Sequence, residues 1–228
     1  MIESSRPFRV KTIRFKSNVG RDISSAKHNL LDIAGVGSPE DFIFFVNRSA
    51  FGPRIEYWYH QFISQIEKFP EIGMCGNTIN RPCPGESDDT YQLHVQTYAF
   101  LTRLRHFKEF TRNMPGENAQ TRDEAIQKGE FGISRRILEK GLGLTPLAWP
   151  DHQFKSDDEE IDPELPCGNM TMTPGFAYIL EKLPYVHWHD TQKAKRASWH
   201  SIFTSVLFRK NQLLRYLQKE GAGKASWP

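Results

Sequence analysis

The chain has 228 residues, enough to bury a full hydrophobic core, and we expect one domain over residues 1–218 followed by a disordered tail over residues 219–228. Hydrophobic residues make up 38% of the chain and aromatic residues 12%, a composition that excludes a disordered protein. The net charge of +3 comes without a dense run of Lys and Arg, so we expect no nucleic acid partner. The chain contains no run of 18 apolar residues and no signal-peptide pattern, so we expect no membrane segment in it.

The first elements follow from hydrophobic spacing, in chain order. Residues 8–15 alternate between apolar and polar side chains, which predicts a strand. Apolar residues at helical spacing predict a helix over residues 22–34, and five consecutive apolar residues predict a strand over residues 42–46 that is buried on both faces. This order of strand, helix and strand predicts a βαβ unit, in which a right-handed crossover joins two parallel strands.

The remaining elements are predicted from the same spacing, with Gly and Pro as end signals. Helices are predicted over residues 55–68, 94–110, 119–129 and 132–140, a strand over residues 72–79, and loops over residues 80–90 and 149–172. Residues 202–218 are predicted to be helical or mixed. Together these elements predict an α/β fold.

The chain contains an odd number of cysteines, Cys75, Cys83 and Cys167, without the spacing of a metal site. A disulfide between Cys75 and Cys83 would close a short loop in an oxidising compartment. Free thiols are the alternative, and the sequence leaves both open.

Three polar residues, Asn47, Arg48 and Ser49, follow directly after the predicted strand over residues 42–46. In an open α/β sheet, ligands bind at the carboxyl ends of the strands, so a polar triplet at this position is a candidate binding site. The same triplet in a surface turn would carry no function, and both interpretations fit the residues.

Five segments in chain order share features with one family. They are N-V-G-R-D-I-S-S from Asn18, F-I-F-F-V-N-R-S-A-F-G-P from Phe42, I-G-M-C-G-N-T-I-N from Ile72, H-V-Q-T-Y-A-F from His94, and E-F-G-I-S-R-R-I-L-E-K-G from Glu130. Each resembles a segment of the GT-A type glycosyltransferases of bacteria, viruses and fungi that are related to rhamnan and capsule-polysaccharide synthesis. The family's segments contain Asn-x-Gly-Arg-Asp, a strand ending in Asn-Asp-Ser-x-x-Gly-Pro, Gly-x-x-Gly-Thr-x-Ile, His-Val-Gln-Ser and Glu-x-Gly-x-Ser.

The resemblance implies a GT-A-like, Rossmann-related mixed sheet flanked by helices, and transfer of a sugar from a nucleotide-sugar donor to a glycan or glycoprotein acceptor. GT-A domains ordinarily begin with a strand, a helix and a strand that hold the nucleotide base. The chain starts too late to contain all of these, so we expect an N-terminally incomplete domain. The alternative is a catalytically inactive relic, or a carbohydrate-binding partner subunit, of the same fold. The chain as written would be cytoplasmic, and a Golgi or secretory location is expected if an N-terminal anchor is missing.

The resemblance assigns six residues to the donor side of the site. They are Asn18, Gly20, Arg21, Asp22, Asn47 and Ser49. Arg21 would pair with the diphosphate at the start of a helix, where the first amide groups and the helix dipole attract anions. Asp22 would hydrogen-bond the sugar, and the structural alternative is an ordinary N-cap.

The resemblance places Glu130 at the position of the catalytic general base and places His94 and Gln96 on the acceptor side. Glu130 precedes a predicted helix, where its carboxylate would face the cleft, and a capping or surface Glu is the alternative. His94 and Gln96 begin a predicted helix, where a His is otherwise a polar cap or a residue at the edge of the core.

A metal site is the least defined part of this prediction. The triplet of Asn47, Arg48 and Ser49 lies where GT-A enzymes carry Asp-x-Asp, yet it contains no carboxylate, the ligand that Mg²⁺ or Mn²⁺ prefers. The sequence therefore leaves open whether either cation binds. His187 and His189 alternate as on a strand and, with Asp190, would be a second metal set, although a surface strand fits them better.

Overall fold

Four strands form the central sheet in the computed structural model, which describes residues 18–81, 92–155 and 176–188 and shows a mixed α/β fold. The α-helices are α1 (Arg21–Ala34), α2 (Trp58–Lys68), α3 (Leu104–Phe107), α4 (Arg122–Glu124), α5 (Phe131–Leu138) and α6 (Phe176–Lys182). A 3₁₀ turn covers Lys108–Thr111 and a π-helical segment covers Ala125–Glu130. The strands are β1 (Phe42–Val46), β2 (Ala50–Phe51), β3 (Ile72–Gly76), β4 (Ile79–Asn80), β5 (His94–Val95), β6 (Ala99–Arg103), β7 (Gly143–Pro146) and β8 (Val186–His187).

The central sheet has the strand order β1-β6-β3-β7, and β2 with β8 and β4 with β5 form two smaller sheets. Strand β6 is antiparallel to both of its neighbours, whereas β3 and β7 are parallel. Strands β1, β3 and β7 therefore run in one direction and end on the same side of the sheet. We call this side the carboxyl edge, and β6 begins there, because Ala99 pairs with Val46 and Phe100 with Gly76.

Helices cover both faces of the sheet, because residues in each strand alternate between two apolar clusters. One face packs against α1 and α5, with Met74, Phe100 and Leu144 in its core. The other face packs against α2, with Cys75 and Leu101 in its core. The three layers explain why all five residues of β3 are buried.

The predicted helix over residues 22–34 and strand over residues 42–46 are confirmed, but the expected burial of that strand is wrong. Only Ile43 of β1 is buried, and Val46 is 53% exposed. The reason is that β1 is the end strand of the sheet within the described residues and pairs only with β6, in the antiparallel direction. The strand over residues 8–15, expected to pair in parallel with β1, lies outside the described residues.

The helix predicted over residues 94–110 is wrong. Strands β5 and β6 occupy the first part of this range, and only Leu104–Phe107 is α-helical. The apolar spacing of Tyr98, Leu101 and Leu104 fits a helix. The same residues are instead buried between the sheet and the helices that cover its two faces. His94 and Gln96 therefore begin a strand region rather than a helix.

The two helices predicted over residues 119–129 and 132–140 form one continuous helical stretch, in which a π-helical segment joins α4 to α5. Thr121 caps it, because its side chain accepts a hydrogen bond from the Glu124 amide while the Glu124 carboxylate accepts one from Thr121. Glu130 is the last residue of the π-helical segment and directly precedes α5, as predicted.

The remaining predictions are resolved only in part. The helix predicted over residues 55–68 begins later, at Trp58, and the strand predicted over residues 72–79 is divided into β3 and β4. Cys75 is a buried free thiol, while Cys83 and Cys167 lie outside the described residues, as do residues 202–228. None of the helices in the described part of the chain is long and apolar enough to cross a membrane.

Candidate functional site

A cleft of about 830 Å³ lies between α1 and β1 and reaches the carboxyl edge of the sheet. We call it the α1–β1 cleft. Its polar lining residues are Asp22, Ser25, Asn29 and Asp32 of α1, Asn47 and Arg48 after β1, and Thr97 before β6. Its apolar lining includes Phe45, Phe100 and Ile133. A concave site of this size with a few converging polar groups is the usual form of a small-molecule site.

The start of α1 is fixed by a close backbone contact at Gly20. Gly20 has a φ of +67°, its amide donates to the Ala119 carbonyl at 2.8 Å, and a Cβ atom on it would lie 2.0 Å from the Glu117 carbonyl oxygen. Only glycine fits there. The helix that follows has no side-chain cap, and Asp22 in its first turn lines the cleft.

Asn47 and Arg48 differ in their contacts at the end of β1. The Asn47 side-chain oxygen accepts a hydrogen bond from the Ser49 amide at 2.8 Å, and the Asn47 amide donates to the Tyr98 carbonyl at 3.1 Å. The Asn47 side chain thus forms a local turn, as in the structural interpretation of the triplet. Arg48 is exposed and brings a positive charge to the cleft.

Glu130 lies beside Thr97 at the carboxyl edge. The Thr97 amide donates to Glu130 Oε2 at 3.4 Å. The pKa of Glu130 is raised to about 7, mainly by burial and to a smaller extent by the negative charge of Asp22, against the lowering effect of hydrogen bonds from Thr97 and of the charge of Arg122. The carboxyl group is therefore about half ionised near neutral pH, a condition suited to general acid–base chemistry.

Close packing through Gly129 brings Glu130 to this position. A Cβ atom on Gly129 would lie 1.9 Å from Ile23 Cδ1, so the π-helical segment approaches α1 more closely than any side chain would allow. Gly116 contacts the same segment, because a Cβ atom on it would lie 2.6 Å from Gly129 Cα. Segments of π-helix are rare and often occur at functional sites.

The two residues predicted for the acceptor side have unlike surroundings. His94 is buried, its ring centroid lies 4.4 Å from that of Phe131, and its Nδ1 lies 2.6 Å from the Gln92 carbonyl oxygen. Burial lowers the pKa of His94 to about 4, so the ring is neutral at pH 7. Gln96 is only partly buried, and its side-chain oxygen lies 2.5 Å from Thr78 Oγ1.

The structure thus brings together some of the predicted residues and not others. Asp22 and Asn47 line the cleft, and Glu130 contacts Thr97, which also lines it. The other four donor-side residues, Asn18, Gly20, Arg21 and Ser49, are not among the lining residues.

The sequence interpretation missed Thr97, the residue that joins Glu130 to the cleft. Thr97 stands in the H-V-Q-T-Y-A-F segment, but a helix through that segment gave no reason to place it at the end of a strand.

The residues after β1 do not fit a divalent cation. The Asn47 side-chain oxygen is already engaged by the Ser49 amide, and Arg48 brings a positive charge. The described residues contain no group of three or more His, Cys, Asp or Glu side chains placed to hold a metal ion. His187 lies on β8, with its ring centroid 5.3 Å from that of Tyr98, while His189 and Asp190 lie outside the described residues.

Comparison of the chain with protein-family models, with curated protein sequences and with solved structures found no match in any of the three.

Proposed function

We propose that the chain is a glycosyltransferase-type protein with a GT-A-like sheet, which transfers a sugar from a nucleotide-sugar donor to a glycan or glycoprotein acceptor. The observation that carries this proposal is Glu130, a partly buried carboxyl group with a pKa of about 7 at the carboxyl edge of the sheet. Ligands of open α/β sheets bind at this edge, and five sequence segments resemble the same class of enzyme.

Glu130 acts as the general base in this proposal. Transfer of a sugar to a hydroxyl group requires removal of the hydroxyl proton, and a base works best when its pKa is near the working pH. The proton passes to the Glu130 carboxylate as the acceptor oxygen attacks the anomeric carbon and the nucleoside diphosphate leaves. Thr97 holds Glu130 by its amide, and burial, with a smaller effect from the charge of Asp22, keeps the pKa of Glu130 near 7.

The opposite end of the site neutralises the leaving group. Arg48 and the amino end of α1 supply positive charge around the polar end of the cleft, where a diphosphate would be stabilised as it departs. Asp22 binds sugar hydroxyl groups, since a carboxylate accepts hydrogen bonds from them. No step in this mechanism uses a metal ion, because the residues after β1 do not fit one.

Calorimetric titration with a panel of UDP- and GDP-sugars tests donor binding, and release of UDP or GDP in the presence of methyl glycosides tests transfer. We expect one nucleotide sugar to bind and to be turned over by the wild-type protein. Glu130→Gln is expected to abolish transfer while donor binding persists. Glu139→Gln, an exposed carboxylate just after α5, is the matched control and is expected to leave transfer unchanged.

Unchanged turnover in Glu130→Gln would contradict the role of Glu130. No heat with any nucleotide sugar, together with binding to free glycans, would favour the alternative of an inactive relic or carbohydrate-binding subunit. If neither ligand class binds or raises the melting temperature, the proposal fails as a whole.

A further inference from the structure

The α1–β1 cleft follows α1 from one edge of the sheet to the other. At the carboxyl edge, Ile23 packs against Gly129, the neighbour of Glu130. At the other edge, a Cβ atom on Gly37 would lie 2.8 Å from Leu104 Cδ2, and Leu104 directly follows the last residue of β6. The lining residues on this side run from the first turn of α1 to the turn after it. The cleft is therefore an elongated groove, and the residues proposed for the reaction lie at only one end of it.

Four polar side chains of α1 form a row along this groove. They are Asp22, Ser25, Asn29 and Asp32, whose intervals of three and four residues place them on one face of the helix. At the rise of an α-helix, Asn29 lies about 10 Å and Asp32 about 15 Å from Asp22 along the helix axis. A single sugar ring bound beside Glu130 is too short to reach these two residues. Only a chain of several units can contact the whole row.

The β1 side of the groove is apolar. Ile43, Phe45 and Phe100 line it on the face of the sheet that α1 covers. The ring of Phe45 stacks on that of Phe100, with centroids 4.7 Å apart and an interplanar angle of 18°, and Phe45 remains only partly buried. Stacking fixes the orientation of this ring, so the groove presents a rigid apolar surface opposite the polar row of α1.

The charges along the groove do not suit an anionic chain. Arg48 is the only cationic residue among the lining residues that the structure describes, and it follows β1 at the carboxyl edge. The polar row of α1 instead carries the carboxylates of Asp22 and Asp32. A polyanion that extends past Arg48 would meet carboxylates and no further cationic lining residue in the described part of the chain.

A neutral saccharide chain matches both sides of the groove. Its hydroxyl groups donate to a carboxylate such as Asp32, and they both donate to and accept from an amide such as Asn29. The C–H faces of its rings are apolar and pack on a surface such as that of Phe45. Hydroxyl groups recur along the whole saccharide, as the polar residues recur along α1, whereas an extended peptide carries such groups only on some of its side chains.

We infer that the groove binds a neutral oligosaccharide along α1, and that Asn29 contacts a sugar unit distant from the reacting end. The inference deepens the proposed function, on which it rests for the reaction, because it identifies the acceptor as a saccharide chain rather than a single sugar. The terminal unit of the chain lies beside Thr97, where Glu130 takes the proton, and the donor diphosphate remains at Arg48. The binding itself also fits the alternative of a carbohydrate-binding subunit.

Calorimetric titration of the full chain with neutral oligosaccharides tests the inference. The probes are linear glucans, mannans and rhamnans of one, three and six units, the shortest as methyl glycosides. We expect at least one hexasaccharide to bind about tenfold more tightly than its monosaccharide, because only the longer chain reaches Asn29. Asn29→Ala should weaken hexasaccharide binding about fivefold and leave the monosaccharide affinity unchanged. His28→Ala, at an exposed residue of α1 that is not among the lining residues, is the matched control and should leave both affinities unchanged.

Two further measurements identify the ligand and its position. The ¹H–¹⁵N signals of the Asn29 side-chain amide should shift on addition of the hexasaccharide and stay in place with the monosaccharide. The hexasaccharide affinity should not change with NaCl concentration, because salt does not screen the binding of a neutral ligand. Equal affinity for all lengths, no binding of any hexasaccharide, or wild-type affinity in Asn29→Ala would overturn the inference. Salt-dependent binding of a hexalysine peptide in place of the hexasaccharides would also overturn it and would assign the groove to a basic peptide.

The result for the groove is separate from the result for transfer. Calorimetry with the nucleotide sugar should give the wild-type donor affinity in Asn29→Ala, since Asn29 lies farther along α1 than the end near Arg48. A wild-type chain that binds a hexasaccharide but no nucleotide sugar would contradict the proposed transfer and leave the inference standing. A chain that transfers sugar equally well to acceptors of every length would overturn the inference alone.

Discussion

Glu130→Gln is expected to stabilise the protein above pH 7, because burial opposes the charge on Glu130. The pKa of Glu130 is about 7, against an ordinary value of 4.5, and each pKa unit corresponds to about 1.4 kcal/mol. At pH 8 the wild type therefore carries a folding penalty of up to about 3 kcal/mol that the neutral variant lacks. Gln retains an oxygen that accepts the hydrogen bond from the Thr97 amide, so little else changes.

The sign of this effect follows from proton binding. Between pH 4.5 and pH 7 the folded chain keeps the proton on Glu130 while the unfolded chain has lost it. The free energy of unfolding of the wild type thus falls as pH rises through this range. Above pH 7 the contribution of Glu130 to this free energy no longer changes. Below pH 4.5 the protonated Glu and the Gln are nearly equivalent.

Urea denaturation of the wild type and Glu130→Gln at half-unit steps from pH 4 to pH 8.5 measures this effect. The difference between the two curves isolates Glu130, because His94 and His106, whose pKa values are both lowered to about 4, oppose it over the same range in each protein. At pH 8 we expect the melting temperature of Glu130→Gln to exceed that of the wild type by roughly 6–12 °C for a chain of this size. A difference that does not change with pH, or one that grows towards low pH, would refute the burial of Glu130 as the cause.

Three further predictions concern packing, acid stability and anion binding. Gly129→Ala is expected to destabilise the fold by about 1–3 kcal/mol, because its methyl group would overlap Ile23, whereas Gly35→Ala, with 3.7 Å to the nearest atom, should be nearly neutral in the same thermal melts. His94→Gln is expected to gain stability over the wild type as pH falls from 6.5 to 4, by up to about 3 kcal/mol, because the buried ring resists protonation that the unfolded chain accepts; a flat difference in urea denaturation would contradict this. Arg48→Ala should weaken UDP binding in calorimetry and reduce its salt dependence, with the melting temperature unchanged, since Arg48 is exposed.

The order of the early elements could be predicted from sequence because those elements depend on local spacing. Helix α1 and strand β1 each carry their pattern within one segment, and Gly20 marks the turn before α1. The partner of β1 could not be predicted in the same way. Strand pairing is a contact between distant segments. Neither the sequence of β1 nor that of β6 indicates by itself that the two strands pair.

The helix predicted over residues 94–110 failed for a different reason. A strand that is buried on both faces has no alternation, so apolar residues such as Tyr98, Leu101 and Leu104 satisfy a helical spacing by chance. Only Leu104 and the residues after it are helical. The error moved Gln96 and Thr97 from the edge of a sheet to the first turn of a helix, and so concealed their relation to Glu130.

The candidate site depends on contacts that join three separate segments, and glycines make these contacts possible. Gly129 lets the π-helical segment reach Ile23, and Gly20 lets the start of α1 reach the Glu117 backbone. Glu130 lies next to Gly129 in this packed region, where burial is the main cause of its raised pKa and the charge of Asp22 adds to it. A sequence pattern shows the glycines and the carboxylates, but it does not show that packing raises the pKa of Glu130 to about 7.

The burial that gives Glu130 a pKa suited to the proposed general base also makes its charge unfavourable for folding. Above pH 7 the ionised Glu130 costs stability that Gln would restore, so selection for stability alone would favour the neutral residue. The proposed use of this charge as a general base would account for a Glu at this partly buried position, where packing alone does not. The pH dependence of the stability of Glu130→Gln measures how much the charge on Glu130 destabilises the fold. The transfer assay of the same variant measures whether that charge is needed for activity.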